Sequence, residues 1–206
     1  MKEAPLIVGL GGTVRPGSTS ETALTRALAA AERAGARTEL FGGAFLAGLP
    51  IFDPRSEAPC PECARFLAAV RRADGLVIAS PGYHGSISGL VKNALDCLED
   101  LRADERPYLD GRAVGCIVSA SGGQAAGGAL AALRSIVHAL RGWPTPFGAT
   151  LNAERLFDGE GAFCDPRDAW QVETVAAQVV AFARAWPNLN SGLEPVAGGE
   201  HPQADA

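Results

Sequence analysis

Residues 10–22, LGGTVRPGSTSET, place hydroxyls, an arginine and glycines between a short apolar run and a long helical one. At a strand-to-helix turn, this is chemistry for an anion. Thr13, Ser18, Thr19 and Ser20 donate hydrogen bonds, Arg15 adds a charge-assisted contact, and the helix start contributes amides and dipole. Two established phosphate motifs fail here. The fingerprint G-x-G-x-x-G aligns Gly9 and Gly11 but meets Val14 at its third glycine, and the P-loop aligns Gly12, Gly17 and Thr19 but has Ser18 where lysine belongs. Without that lysine a triphosphate loses its β,γ cation, so a monophosphate fits better. The plain alternative is a polar turn with a helix cap.

Two further stretches have unusual composition. In SPGYHGSISG (residues 80–89), Pro81 and Gly82 fix a turn, and Tyr83, His84 and Gly85 follow. An aromatic held there lies well beside a planar ring. His84 as a general base is the weaker reading, because no carboxylate nearby in sequence orients it. In SASGGQAAGG (residues 119–128), Ser121, Gly122 and Gly123 offer bare amides that let backbone approach a flat ligand. Residues 119–123 are also a degenerate nucleophile elbow. A hydrolase needs an acid and a histidine downstream, and His138, within a helix, and His201, near the C-terminus, are poorly placed.

The elements that must hold these loops alternate along the chain. Strands are expected at residues 6–10 and 75–80, both buried, at 38–41, a short one, and at 113–119, with a short last strand at 145–150. Helices are expected at 22–34, 61–73, 90–101, 128–140 and 168–186, the last starting at Asp168. Alternating strands and helices, with strands apolar on both faces, imply an α/β three-layer sandwich around a parallel sheet. Five strands favour the flavodoxin-like order 2-1-3-4-5, whose ligands bind beyond the strands' carboxyl ends. The loops after strands 1, 3 and 4 then converge on one crevice. Residues 1–186 read as one domain and residues 187–206, rich in Gly, Pro, Asn and Glu, as a mobile tail.

Composition narrows the partners. With a net charge of −5 and no Lys/Arg cluster, nucleic acid is excluded as a main partner. No apolar run approaches the roughly 18 residues a membrane span needs. The N-terminus runs straight into a strand with no signal-peptide pattern, which places the protein in the cytoplasm. Five cysteines without framework spacing suit a reducing compartment. Cys60 and Cys63 form a C-x-x-C at a helix start, a position that favours thiolate and supports a redox pair or half a zinc site. Cys97, Cys116 and Cys164 are isolated and complete no tetrahedral set, so the pair reads as incidental and no metal site is expected. Lys92 and Asp96 read as a surface pair, and Trp143 with Phe147 as an apolar corner.

GGTVRPGSTS resembles the G-S-x-R-x-x-S-x-[NS] loop of the NADPH-dependent FMN reductase family, and SPGYHGSISGLVKNALD resembles its S-P-x-Y-x-x-S-x-x-G-x-x-K-N-x-x-D segment. The resemblance spans roughly residues 5 to 150. It implies a flavodoxin-like FMN-binding domain, with Thr13, Arg15, Ser18 and Ser20 at the FMN phosphate. Pro81, Gly82, Tyr83 and His84 would border the ribityl chain and ring, and Ser121, Gly122 and Gly123 the ring's other edge. Thr13 stands for the usual Ser, Gly82 for a frequent Glu and His84 for a frequent Asn. The implied reaction passes hydride from NADPH, with NADH as the alternative donor, to FMN. The flavin carries that chemistry, so no catalytic side chain is expected. Homodimers or homotetramers are implied too. Reduced FMN then feeds a flavin-dependent monooxygenase, or stays bound and reduces a quinone, azo dye or metal oxyanion. An electron-transfer flavoprotein is the reading from a different class, though such proteins usually have more acidic surfaces.

Overall fold

The computed structural model of the protein describes residues 3–56 and 58–190. In chain order the elements are β1 (Leu6–Gly11), α1 (Thr19–Arg33), β2 (Arg37–Phe41), α2 (Gly43–Ala47), α3 (Pro61–Arg72), β3 (Gly75–Tyr83), β4 (Ser86–Ile87) and α4 (Gly89–Asp96). A 3-10 turn (Cys97–Leu101) follows, then β5 (Ala113–Ala120), α5 (Gly123–Ala139), β6 (Trp143–Pro144), β7 (Ala149–Asn152) and α6 (Pro166–Asn190). Every residue of β1 and β5 is buried, as a sheet covered on both faces requires. Side chains alternate between two cores. Val8, Leu10, Leu76 and Ile78 face α3, α4 and α5, while Ile7, Val77, Ala79 and Ile117 face α1 and α6.

The strands order as β2-β1-β3-β5-β6, all parallel. This is the expected 2-1-3-4-5 arrangement with two additions. The fifth position is split between β6 and β7, both paired to β5. Pro146, which has no N–H to give, interrupts it, and side chains serve the freed backbone: Arg134 donates to the Thr145 carbonyl at 2.6 Å and Gln178 accepts from the Phe147 amide at 3.0 Å. The seventh strand, β4, runs antiparallel to β3.

Other boundaries also move. α1 begins at Thr19 rather than 22, because Ser18 caps it, and α5 begins at Gly123 rather than 128. The expected helix 90–101 is α4 plus the 3-10 turn. α6 begins at Pro166, where the Asp165 carboxylate accepts the Arg167 amide (2.8 Å), so Asp168 lies inside the first turn. The helix then runs through Pro187 to Asn190. The expected tail thus contributes its first four residues to α6, and residues 191–206 lie outside the described residues. The expected corner is two clusters on α6: Trp143 meets Phe182 and Trp186, and Phe147 meets Trp170. Lys92 and Asp96 do pair, at 2.5 Å.

Cys97 is not isolated, since its sulfur lies 3.9 Å from that of Cys63. Burial pushes the Cys63 thiol up to about 12, and the Cys116 thiol likewise to about 12, from an ordinary 9.0. Both stay protonated in the folded chain while the unfolded chain ionises above pH 9. Their contribution to stability is therefore complete below pH 9 and falls as pH climbs toward 12, by up to ~1.4 kcal/mol per pH unit for each thiol. The urea midpoint is expected to drop between pH 9 and 10, and Cys116→Ala should flatten that drop. An unchanged slope in the variant would contradict it.

Among the described residues, no helix is long and apolar enough to cross a membrane, and no group of three or more His, Cys, Asp or Glu is placed to hold a metal ion.

Candidate active site

The loop after β1 closes on itself: the Thr13 hydroxyl accepts the Arg15 amide at 3.1 Å. Ser18 then caps α1, its hydroxyl accepting from the Glu21 amide at 3.4 Å. Ser18 and Ser20 are 2% and 1% exposed, with hydroxyls 3.5 Å apart. Glu21, the one acid in this first turn, reaches away to accept the Gly43 amide at 3.2 Å. Arg15 is exposed and its guanidinium has no partner among the described residues. The helix start is therefore lined with donors and kept clear of negative charge.

The second loop is a hairpin. β3 and β4 pair at Tyr83 and Ser86 around the two residues His84 and Gly85, whose φ angles are 51° and 85°. Left-handed φ at both central positions is the signature of a type I′ turn, which favours Asn or Gly and in which His is tolerated. The buried Ser80 hydroxyl donates to the Pro81 carbonyl (2.8 Å) and accepts the Ser88 amide (3.0 Å), fixing the hairpin's return. Ser88 in turn caps α4. Asn93 on α4 clamps the segment before α3, accepting from the Phe52 amide and donating to the Pro50 carbonyl, both at 2.9 Å. Much of the SPGYHGSISGLVKNALD pattern is thus scaffolding. His84→Gly is expected to preserve the hairpin and ligand affinity, whereas His84→Val should destabilise by ~1–2 kcal/mol. Thermal melts of the two variants would separate them, and equal melts would refute the turn assignment.

The third loop passes from β5 through Ser121 to Gly122, the N-cap of α5, with Gly123 its first residue. A Cβ on either glycine would meet nothing within 4 Å, so both present bare backbone to open space.

These loops meet in one cleft of about 560 Å³. Thr13, Arg15, Ser18, Thr19 and Ser20 line one side, and Pro81, Gly82, Tyr83, Ser121 and Gly122 the other. His84, Gly85 and Gly123 are not among its lining. Val14, Ser119, Ala120 and Ala125, which belong to the loops expected there without having been named as site residues, also line it, as does Ala153, which was not expected from sequence. Ala153 carries no compositional signal; its amide bonds the Ala120 carbonyl at 3.0 Å, which brings the end of β7 to the cleft. The hydrolase alternative does not find its histidine in His138, and His201 lies outside the described residues. Ser121 precedes α5 and His138 lies in its last turn, about 22 Å away along a helix rising 1.5 Å per residue.

The donor set fits FMN. The buried hydroxyls and helix start suit a phosphate, the bare glycine backbone suits a flat ring, and the cleft volume lies in the range of small-molecule sites. Sheet order and a cleft beyond the carboxyl ends define a flavodoxin-like α/β protein. A flavodoxin-type WrbA-like protein of Agrobacterium tumefaciens superposes with a TM-score of 0.61 at 15% identity, covering 88% of this chain and 98% of its own. The family model for NADPH-dependent FMN reductase matches residues 5–154, and the chain belongs to that family. It is accordingly an oxidoreductase that works with FMN and NAD(P)H. An NAD(P)H-dependent FMN reductase of Pseudomonas aeruginosa is 28% identical over 165 residues, 78% of this chain and 85% of the relative. An FMN-dependent NADPH-azoreductase of Staphylococcus aureus is 40% identical over 118 residues, 56% of this chain and 59% of the relative.

Proposed function

We propose that the FMN phosphate sits among Thr13, Arg15, Ser18, Thr19 and Ser20, with the ring between the Tyr83 hairpin and the Ser121–Gly123 turn. The observation that carries this is the convergence of two buried hydroxyls, an unpaired arginine and a helix start on one side of a cleft whose other side carries Tyr83 and the open backbone of Gly122. Bound FMN supplies the two-electron chemistry. The chain's part is to anchor, orient and exclude water. Donors at the α1 start would hold the anionic end, and backbone at Gly122 would lie beside the ring, where an amide stabilises negative charge. Tyr83, 53% exposed, lines the cleft, where its ring would lie beside a bound flat ring. His84 and Gly85 act by shaping the hairpin, and Gly123 by starting α5.

In this reading the protein is an NAD(P)H-dependent FMN reductase that works in the cytoplasm as a homodimer or homotetramer. It supplies reduced flavin to a monooxygenase. Likeness to an azoreductase favours a second reading, in which FMN stays bound and reduces a quinone, azo or related acceptor. NADPH oxidation by the purified protein, with and without FMN, tests the proposal. Oxidation that rises with added FMN and stops without it supports the reductase. A flavin that co-purifies and needs an added acceptor supports the second reading. Flavin binding without NADPH or NADH oxidation would overturn both.

A further inference from the structure

The C-x-x-C motif lies outside the flavin cleft. Cys60, Cys63 and Cys97 line a separate groove of about 540 Å³ bounded by the segment before α3, the start of α3 and the 3-10 turn, and it shares no lining residue with the cleft. Cys60 is the N-cap of α3 and partly exposed, and its sulfur accepts the Cys63 amide at 3.3 Å. Cys63 is buried behind it, one helical turn on. Residues three apart in a helix have Cα atoms about 5 Å apart, within the span of a disulfide. Behind both stands Cys97, 3.9 Å from Cys63. The groove therefore has an open thiol at its mouth and a shielded thiol within reach of it.

We propose that Cys60 and Cys63 form a thiol–disulfide exchange site that takes low-molecular-weight disulfides from the groove. Cys60 sulfur attacks one sulfur of the incoming disulfide: a Cys60–S bond forms, the incoming S–S bond breaks, and the departing sulfur takes up the Cys60 proton as a free thiol. Cys63 sulfur then attacks Cys60 sulfur, releases the second half as a thiol that carries the Cys63 proton, and leaves a Cys60–Cys63 disulfide. Two protein thiols are oxidised and one disulfide is reduced to two thiols, so electrons and protons balance. Position fits Cys63 to the second role: buried behind Cys60 it does not meet the incoming reagent, and one helical turn away it is adjacent when the adduct forms.

The test exposes the full-length protein to glutathione disulfide, blocks remaining thiols by alkylation and maps them by peptide mass. The wild type is expected to lose two hydrogens across Cys60 and Cys63 with no lasting adduct. Cys63→Ser should stop at a glutathione adduct on Cys60, and Cys60→Ser should leave Cys63 free. FMN binding by both variants checks that they are folded. Cys164, exposed and remote in sequence, is the internal standard for unassisted reactivity. Cys60 reacting no faster than Cys164, a bond mapped to Cys63–Cys97 instead, or a Cys63→Ser variant identical to wild type would each overturn the proposal.

Discussion

Gly43→Ala is expected to unfold the chain at markedly lower denaturant, by ~3 kcal/mol, and to take flavin binding with it. A Cβ built on Gly43 would lie 1.9 Å from the Thr13 carbonyl oxygen and 2.7 Å from the Thr13 amide nitrogen. Both are backbone atoms, so no rotamer relieves the clash. Either α2 moves out or the loop after β1 moves away from it. The first breaks the Glu21–Gly43 hydrogen bond and disturbs the contacts of Leu46, which is buried with Phe41 and Phe66. The second displaces Thr13, whose hydroxyl holds the Arg15 amide. Chemical denaturation and an FMN titration on the same variant check this. Gly48→Ala is the matched control, because its nearest contact, the Phe45 carbonyl, is an ordinary 3.4 Å away. A Gly43→Ala protein as stable and as flavin-competent as the control would show that α2 does not buttress the cradle.

Arg15→Ala is expected to weaken FMN binding by ~2 kcal/mol, roughly 30-fold in Kd, and to leave the fold intact. Arg15 makes no ion pair among the described residues, so removing its side chain orphans nothing. What is lost is a charge-assisted contact to phosphate. Arg15→Lys should fall between the two, since an ammonium keeps the charge without the bidentate fork. The effect should shrink in high salt, because the group is exposed and screened. Fluorescence titrations at two ionic strengths provide the check, and an unchanged Kd would remove Arg15 from the phosphate site.

Much of the fold was legible because its strands are continuous apolar runs. GLVIAS and AVGCIVS each fill a central strand buried on both faces, a pattern an edge strand seldom shows. The fifth position was misread because TPFGAT carries a proline that ends one pairing before the next begins. Helix starts were placed late for a related reason. Ser18 and Gly122 cap ahead of the first periodic apolar residues, so periodicity alone sees each helix a few residues inside its true start. In the site, hydroxyls, arginine and glycines announce themselves by type. Gly43, Glu21 and Ala153 do not, because their roles depend on which segments the sheet brings together. The cysteines show the same limit: Cys97 is far from Cys63 in sequence, and only the packing of α3 on the 3-10 turn puts their sulfurs 3.9 Å apart.

The central claim is that the start of α1 is a phosphate cradle. Comparing the affinities of FMN and riboflavin, which differ only by the phosphate, tests it most directly. The account predicts FMN binding tighter by roughly 100-fold or more, as two or more charge-assisted hydrogen bonds would give, with most of the gap lost in Arg15→Ala. Equal affinities for the two flavins would contradict it, and the anion-binding role of Thr13, Ser18 and Ser20 would fall with it.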